Sequence, residues 1–505
     1  MGANDSLMGG VIASGRGAKY EVGVADLDKL CLMTDGTLYV ASAYAKDMSV
    51  LSYMELLRRN KIVFKVQHAT VDEIQRMYSS AVTTSSGDNS VRQEQVIALI
   101  KKAVGLGASD IHFRNYAKHT ETWMRIDGFL EKDRQGVFGP EDGAALCGTM
   151  YRSMCDVAEG DYVPTKSQDG RISREFLSAC GLVGARIATR PMDYGNEVVL
   201  RLLTRHKRQT LGELGYLDRQ LRDLHRMTER TRGINIFSGE TGSGKSTSLE
   251  VLLSDLLARH KYKIKLQTIE DPPEYVIPGA VQTPILCDKR DPEEVSREWA
   301  RSISNVLRLD PDVIMVGEMR DVDSAVATFR AAITGHGVWT TLHTFDAHAS
   351  LQRLLDIGVD INLLTDASIV TGLINQSLAA KNCEHCRRPY LKYRHEVHEE
   401  LRERIELYCE PDRVFLKGND RGCPHCNGRG YKGRTVIAET VVPTQAMMNV
   451  FKRDGKAAAR KYWVEHQKGV TKAQHLIYKI NEGIIDPHLG EQMVCSLDED
   501  VITLG

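Results

Sequence analysis

The stretch "INIFSGETGSGKSTSLEVLLSDLLA", which begins at Ile234, restricts the fold more than any other part of the chain. Residues 234–237 read as an apolar strand. Residues 247–258 read as a helix, with Leu249, Leu252, Leu253, Leu256 and Leu257 at helical spacing. Between them Gly239, Gly244, Lys245 and Ser246 hold the fixed places of G-x-x-x-x-G-K-[ST], in the strand–loop–helix context that this motif needs. Glycines let backbone N–H groups converge on phosphate oxygens, and a helix N-terminus adds favourable potential for an anion. Lys245 then places a point charge on the outer phosphates, and the Ser246 hydroxyl can ligate Mg²⁺. The candidate nucleotide-binding set is Gly239, Glu240, Thr241, Gly242, Ser243, Gly244, Lys245, Ser246 and Thr247, with ATP and Mg²⁺ as cofactors.

Three later segments repeat one theme, an apolar strand ending in polar groups. In "LRLDPDVIMVGEMRD" (307–321), Val313–Val316 form a short strand and Glu318 follows its end. "QTIEDPPEY" (267–275) ends its strand at Glu270 and Asp271, and "GVWTTLHTFDAH" (337–348) ends at His343. In an open α/β sheet ligands bind at the C-terminal ends of the strands. A carboxylate there can hold Mg²⁺ through water or polarise an attacking water. From Arg232 to about Lys381 strand and helix patterns alternate, which predicts a mainly parallel sheet with helices on both faces.

Upstream, "SSAVTTSSGDNS" (79–90) reads as a linker, being small, polar and poor in apolar residues. Val91–Val104 has helical periodicity, "TETWMRIDGFLEK" reads as two strands joined by an Asp-Gly turn, and "ARIATRPMDYGNEVVLRLL" (185–203) as another strand pair. Residues ~91–205 therefore form an α+β domain, preceded by a small mixed region. The chain of 505 residues is 42% apolar and carries a net charge of −1, so no bulk field drives it onto nucleic acid or anionic lipid. No stretch approaches the ~18 apolar residues of a membrane span, and the N-terminus lacks the pattern of a signal peptide.

Of 11 cysteines, seven are scattered singly, which favours a reducing compartment over a disulfide framework. The other four form two C-x-x-C pairs, Cys383/Cys386 and Cys423/Cys426, separated by the 36 residues 387–422. Two matching knuckles at this spacing predict a tetrahedral Cys₄ Zn²⁺ site rather than a redox pair. His385 and His425 lie inside the knuckles and stay outside the ligand set, since four thiolates suffice. The intervening residues are too charged to form a core alone, so metal binding can supply folding energy.

These phrases resemble the hexameric ATPases of type II secretion and type IV pilus assembly. "SGETGSGKSTSL" is similar to their Walker A, "TIEDPPEYVIPGAVQ" to their Asp box, "LRLDPDVIMVGEMRD" to their Walker B and "TGHGVWTTLHTFDAHASLQRLLDIGV" to their His box. "GASDIHF", "MRIDGFL", "SQDGRI" and "GARIATRP…GNEVVLRLL" are similar to their second N-terminal domain, so the resemblance covers roughly 91–440.

The resemblance implies an α/β fold, in which a RecA-like P-loop ATPase domain (216–380) is preceded by a smaller α+β, PAS-like domain (91–205). It further implies an N-terminal partner-binding region (1–85), a Cys₄ module (381–435) and a helical C-terminal region (436–505). Glu270 and Glu318 match the catalytic and metal-associated acids, and His343 the His-box histidine. Arg186 and Arg201 match arginines that reach the phosphates from the N-terminal domain. Arg320 and Arg353 match arginines near the site or at subunit contacts, and Arg434 an arginine beside the Cys₄ module. Pro273, Met319, Phe345 and Ser304 depart from the family pattern without removing a catalytic group.

The implied protein is a cytoplasmic homo-hexameric motor at the cytoplasmic face of the inner membrane. It binds that membrane peripherally, through the platform protein of a pilus or secretion system. Assembly and secretion members carry the Cys₄ module and typical retraction members lack it. A nucleic-acid-translocating P-loop ATPase is the alternative, and the near-neutral charge and lack of a basic aromatic stripe weigh against direct nucleic-acid binding. A nucleotide-binding scaffold without turnover conflicts with the intact Glu270 and Glu318.

Overall fold

A computed structural model describes residues 13–14, 20, 22, 26–204, 209–287 and 291–504, with the backbone alone for 72, 75–76 and 79–90. The chain divides into two compact units, Met1–Arg125 with Leu130–Leu202, and Ile126–Phe129 with Leu203–Gly505.

In the first unit Leu30–Leu32 pairs antiparallel with Thr37–Ala41, which pairs parallel with Lys65–Ala69. The parallel step needs a crossover, and the helix Met48–Arg59 provides it. Its N-terminus is capped by Asp47, and it buries Val50, Tyr53 and Leu57 against Leu30, Leu32, Leu38 and Val40. A helix then runs without a break from Val71 to Gly105. It includes residues 79–90, so the expected linker is helical. A capping box of Thr70 and Glu73 starts this helix. The polar stretch contains no proline and one glycine, Gly87, which lowers helix propensity without ending the helix.

The second sheet of this unit has seven strands in the order Phe129–Phe138, Thr120–Ile126, Ala108–Tyr116, Gly195–Thr204, Leu182–Met192, Gln168–Ile172 and Cys155–Ala158. Thr120–Ile126 alternates buried and half-buried side chains throughout, the signature of a sheet packed on one face. The expected tight turn is Asp127–Gly128, with φ of 50° and 99°. Both residues of a two-residue hairpin turn of type I′ require such angles.

The second unit is the expected open α/β sheet. Its order is Val281–Pro284, Leu266–Glu270, Val313–Val316, Gly337–Leu342, Gly233–Ser238, Val370–Asn382 and Tyr431–Val441. The first six strands are parallel and the last is antiparallel to its neighbour. Ile234 and Ile236 point to one face, where Trp299, Phe329 and Leu351 come from the helices Pro292–Val306, Val322–Ile333 and Ala349–Ile357. Phe237 points to the other face, onto Leu249, Leu252 and Leu256 of the helix Lys245–Arg259 and Leu224 of the helix Asp218–Thr228. The period-2 alternation of one strand thus serves two cores.

The last two strands project beyond the sheet and end in the cysteine knuckles. The segment between the knuckles has no core of its own. Its Tyr390, Ile405, Val414 and Leu416 pack with Leu476 and Ile480 of the C-terminal helix Lys472–Asn481.

Candidate nucleotide site and cysteine cluster

Each expected element of the phosphate site forms within two residues of its expected bounds. The strand Gly233–Ser238 is wholly buried, and the helix begins at Lys245. Gly239 has φ 142°, and a Cβ there would stand 2.3 Å from the carbonyl oxygen of Gln376, so only glycine fits. Gly244 has φ 83° at the helix N-cap, a left-handed angle that glycine adopts without penalty. The Lys245 amine donates to the carbonyls of Gly239 (2.7 Å) and Glu240 (3.0 Å) across the loop. Burial pulls its pKa down to about 8, opposed by the nearby Glu318, Glu274 and Glu240 carboxylates. Ser243 Oγ is buried without a partner. A loop of left-handed glycines around a buried amine fits the phosphates of a nucleotide.

The polar strand ends gather beside this loop. Glu318 accepts from Arg320 Nε at 2.8 Å through one oxygen, and His343 Nε2 lies 3.4 Å from the other. Arg320 also reaches Asp271 at 3.8 Å. The strands Leu266–Glu270, Val313–Val316 and Gly337–Leu342 are successive parallel neighbours, which puts these three ends in one row. Gly317 N–H donates to Ile269 O at 2.8 Å and Thr341 Oγ1 to Gly317 O at 2.6 Å, locking the turn before Glu318. Glu270 is buried and fixed by Thr268 Oγ1 (2.6 Å) and Gln282 Nε2 (3.0 Å). The pKa of His343 lies below its ordinary value of 6.5, through burial and then the charges of Lys245 and Arg320, against the pull of Glu318. Its imidazole is therefore neutral at neutral pH, able to donate to a carboxylate or accept from water.

The other expected residues lie elsewhere. Arg353 is exposed on the helix Ala349–Ile357 and is absent from the Glu318 network. Arg201 and Arg186 belong to the first unit. Arg201 Nε donates to Asp110 at 2.9 Å across the antiparallel pair, and Arg186 sits opposite Arg171. Arg434 is exposed on the strand Tyr431–Val441, opposite Ala380.

The sulfurs of Cys383, Cys386, Cys423 and Cys426 all lie within 4.8 Å of one another. Cys383 and Cys423 stand 3.9 Å apart, Cys386 and Cys426 3.7 Å apart. Gly430 N–H donates to Cys426 Sγ at 3.2 Å, a contact that orients and steadies a thiolate ligand. A Cβ on Gly418 would meet Cys386 Sγ at 2.3 Å, so the backbone closes tightly on the cluster. The donor set and spacing suit a tetrahedral metal site. His385 and His425 stay outside it and stack on each other, with ring centroids 3.5 Å apart.

Two groups of polar residues escaped the sequence reading. Tyr216, Asn375 and Gln376 lie beneath the phosphate loop. Around the loop after His343, fully buried Glu439 accepts from Arg460 (2.8 Å), Ala347 N–H (3.1 Å) and Lys472 N–H (3.3 Å), and Lys456 pairs with Asp346 at 3.0 Å. The signal was present as polar residues inside apolar strands, "LINQSLAA" and "TVIAETVV". A buried polar side chain is more informative than an exposed apolar one.

Comparison with known proteins places this geometry. Residues 85–491 match the family model described as Type II/IV secretion system protein. Type II secretion system ATPase E of Vibrio cholerae is 33% identical over 370 residues, 72% of this chain and 68% of that protein. Putative type II secretion system protein E of Escherichia coli is 35% identical over 356 residues, 69% of this chain and 66% of that protein. The matched stretches thus span about two thirds of these relatives. The X-ray structure of the Legionella pneumophila ATPase DotB shares the fold at a TM-score of 0.52 and 20% identity, covering 77% of this chain and 92% of its own. The Yersinia pseudotuberculosis DotB structure does so at 0.50 and 19%, covering 79% and 92%. A family match over residues 85–491, which include the phosphate loop and the row of polar strand ends, assigns it: the chain belongs to the type II/IV secretion system protein family, a family of ATPases.

Proposed function

We propose that the chain is an ATP-hydrolysing motor that powers assembly of a type IV pilus or a type II secretion pseudopilus. The observation that carries this reading is the placement of Glu318, His343 and Arg320 in one row beside a buried Lys245. A nucleotide-binding scaffold needs the cradle alone, whereas hydrolysis also needs acidic groups at the strand ends. ATP phosphates would take over the Lys245 amine from the Gly239 and Glu240 carbonyls, with loop N–H groups of residues 240–247 around them. Mg²⁺ would be held by the Ser246 hydroxyl and, through water, by Glu318, and would supply charge neutralisation at the phosphates. Glu318 and Glu270 are the acids that hold and activate water, and neutral His343 accepts or donates a proton next to them. Arg320 fixes Glu318, and Arg353, Arg186 and Arg201 supply charge at subunit contacts or toward the phosphates.

The reading includes a homo-hexamer in which ATP binding and hydrolysis close and open the domains. It works at the cytoplasmic face of the inner membrane through a platform protein, without direct nucleic-acid contact. Among the described residues no helix is long and apolar enough to cross a membrane, which agrees with attachment through a partner. The Cys₄ cluster would hold a structural Zn²⁺, the feature of assembly and secretion branches.

The test is ATP turnover by the purified chain beside Lys245→Ala and Glu318→Gln. The reading expects Mg²⁺-dependent phosphate release that either substitution abolishes, with Glu318→Gln still binding ATP. Equal turnover in all three proteins overturns it.

A further inference from the structure

The strand Val370–Asn382 runs through the core, yet two amides, Asn375 and Gln376, replace apolar residues at its centre, both fully buried. Burying an amide is costly unless it is hydrogen-bonded, so the bonds state what each residue holds. Gln376 Nε2 donates to the carbonyl of Ser243 at 2.7 Å. Its Oε1 accepts from the Tyr216 hydroxyl at 2.6 Å, and that hydroxyl also lies 3.1 Å from Ser248 Oγ. The backbone carbonyl of Gln376 is the atom that a Cβ at Gly239 would strike. One residue thus underlies both ends of the phosphate loop. Asn375 Nδ2 donates to Ser238 Oγ and to the carbonyl of Thr344, each at 2.9 Å. It joins the strand that enters the phosphate loop to the turn that follows His343.

The geometry of the peptide bond gives these contacts a direction. In a trans peptide the C=O and the next N–H point opposite ways. Holding Ser243 C=O beneath the loop therefore turns Gly244 N–H to the opposite, phosphate side. Tyr216 holds the other end of the Gln376 amide, so the amide cannot flip and present oxygen to the Ser243 carbonyl.

We propose that Gln376 and Asn375 are positioning residues for the nucleotide chemistry: Gln376 orients the phosphate loop from below, and Asn375 sets the spacing between that loop and His343. The inference rests on the ATPase reading and adds to it two residues that do not touch the nucleotide. They act on different quantities. Gln376 shapes the cradle, which holds ground state and transition state alike, so its loss raises KM with little change in kcat. Asn375 aligns a side chain with the reacting end, so its loss lowers kcat with little change in KM.

The experiment uses the full chain, a fluorescent ATP analogue for affinity, ATP turnover for kcat and KM, and thermal melting for folding. Gln376→Met with Tyr216→Phe removes the donor to the Ser243 carbonyl and leaves no hydroxyl orphaned beneath the loop. The expected result is nucleotide binding weakened roughly tenfold, since a buried acceptor loses its donor. Tyr216→Phe keeps the Gln376–Ser243 bond and should weaken binding less. Asn375→Leu should lower kcat roughly tenfold with KM near that of the parent.

A folded protein with Gln376→Met and Tyr216→Phe that binds nucleotide within about twofold of the parent overturns the role of Gln376, a bond loss too small to register on this scale. A folded Asn375→Leu protein with the parent kcat overturns that of Asn375. If that double variant does not fold, Gln376→Leu with Tyr216→Phe reads the same quantity. If Asn375→Leu does not fold, Ser238→Ala removes one of the two bonds of Asn375 and should give a smaller drop in kcat, an unchanged value again overturning its role. A parent chain that neither binds nor hydrolyses ATP overturns the ATPase reading itself, a result separate from all of these.

Discussion

Replacing Arg460 with Met tests whether the loop after His343 is braced from the C-terminal helices. Arg460 and Glu439 form an ion pair at 2.8 Å with side chains 9% and 0% exposed. Removing one partner of such a pair typically costs 3–5 kcal/mol, because the remaining charge stays buried. Glu439 would keep the N–H groups of Ala347 and Lys472, which places the loss near the lower end, about 3 kcal/mol. For a unit of this size that lowers the melting temperature by roughly 5–10 °C. The double substitution Arg460→Met with Glu439→Gln removes both charges of this pair, keeps an amide oxygen for the two N–H groups, and leaves Asp500, 3.6 Å from Arg460 and 20% exposed, as in the single variant. It should cost only about 1 kcal/mol. Trp463 packs against His348 in the same cluster, ring centroids 5.3 Å apart, and thermal unfolding of the nucleotide-free chain followed by circular dichroism measures the loss. A single substitution costing under about 1 kcal/mol, or a double as destabilised as the single, would refute the brace.

Further perturbations probe the rest of the site. The Lys245 amine has its pKa lowered to about 8. Above that pH, ATP binding must first take up a proton, so affinity should fall by up to about tenfold per pH unit, and equal dissociation constants at pH 7.5 and 9 would contradict this. The unfolded chain holds that proton up to its ordinary value of 10.5, so the same group makes nucleotide-free stability rise between pH 8 and 10.5. Gly239→Ala would force a Cβ against the Gln376 carbonyl in a left-handed backbone and should abolish nucleotide binding while the protein melts as a folded one; retained binding in a titration speaks against the cradle geometry. Cys423→Ser should remove the metal, expected at about one Zn²⁺ per chain in the parent, and lower the melting temperature. A metal-free parent with the same melting curve would rule out a structural Zn²⁺.

The parts legible in the sequence were those in which chemistry and fold share a few neighbouring residues. The phosphate loop needs its strand, glycines and helix in one run, so its bounds could be read to within two residues. Asp127–Gly128 marked a hairpin because few residue pairs accept two left-handed angles. The cysteine spacing predicted a closed cluster because four thiolates satisfy one metal. Residues 79–90 failed in the opposite way. Their composition described a linker, while the cap at Thr70 and the periodic run after Val91 carry one helix through them. The underside of the site was hidden by distance along the chain. Tyr216 and Gln376 are 160 residues apart, and their bond depends on which strands become neighbours. That order is set by the whole sheet rather than by any segment. Asn375, Gln376 and Glu439 could still have been flagged as polar residues in apolar strands, without their partners being known.

Hydrolysis requires, beyond the nucleotide cradle, polar groups beside the outer phosphate, and Glu318, His343 and Arg320 form such a row. Steady-state phosphate release with Mg²⁺ and ATP, measured for the parent and Glu318→Gln at equal ATP occupancy, decides whether that row is hydrolytic. The expected result is turnover in the parent and its loss, by at least about a hundredfold, in the variant that still holds ATP. Matching rates in the two proteins would contradict it.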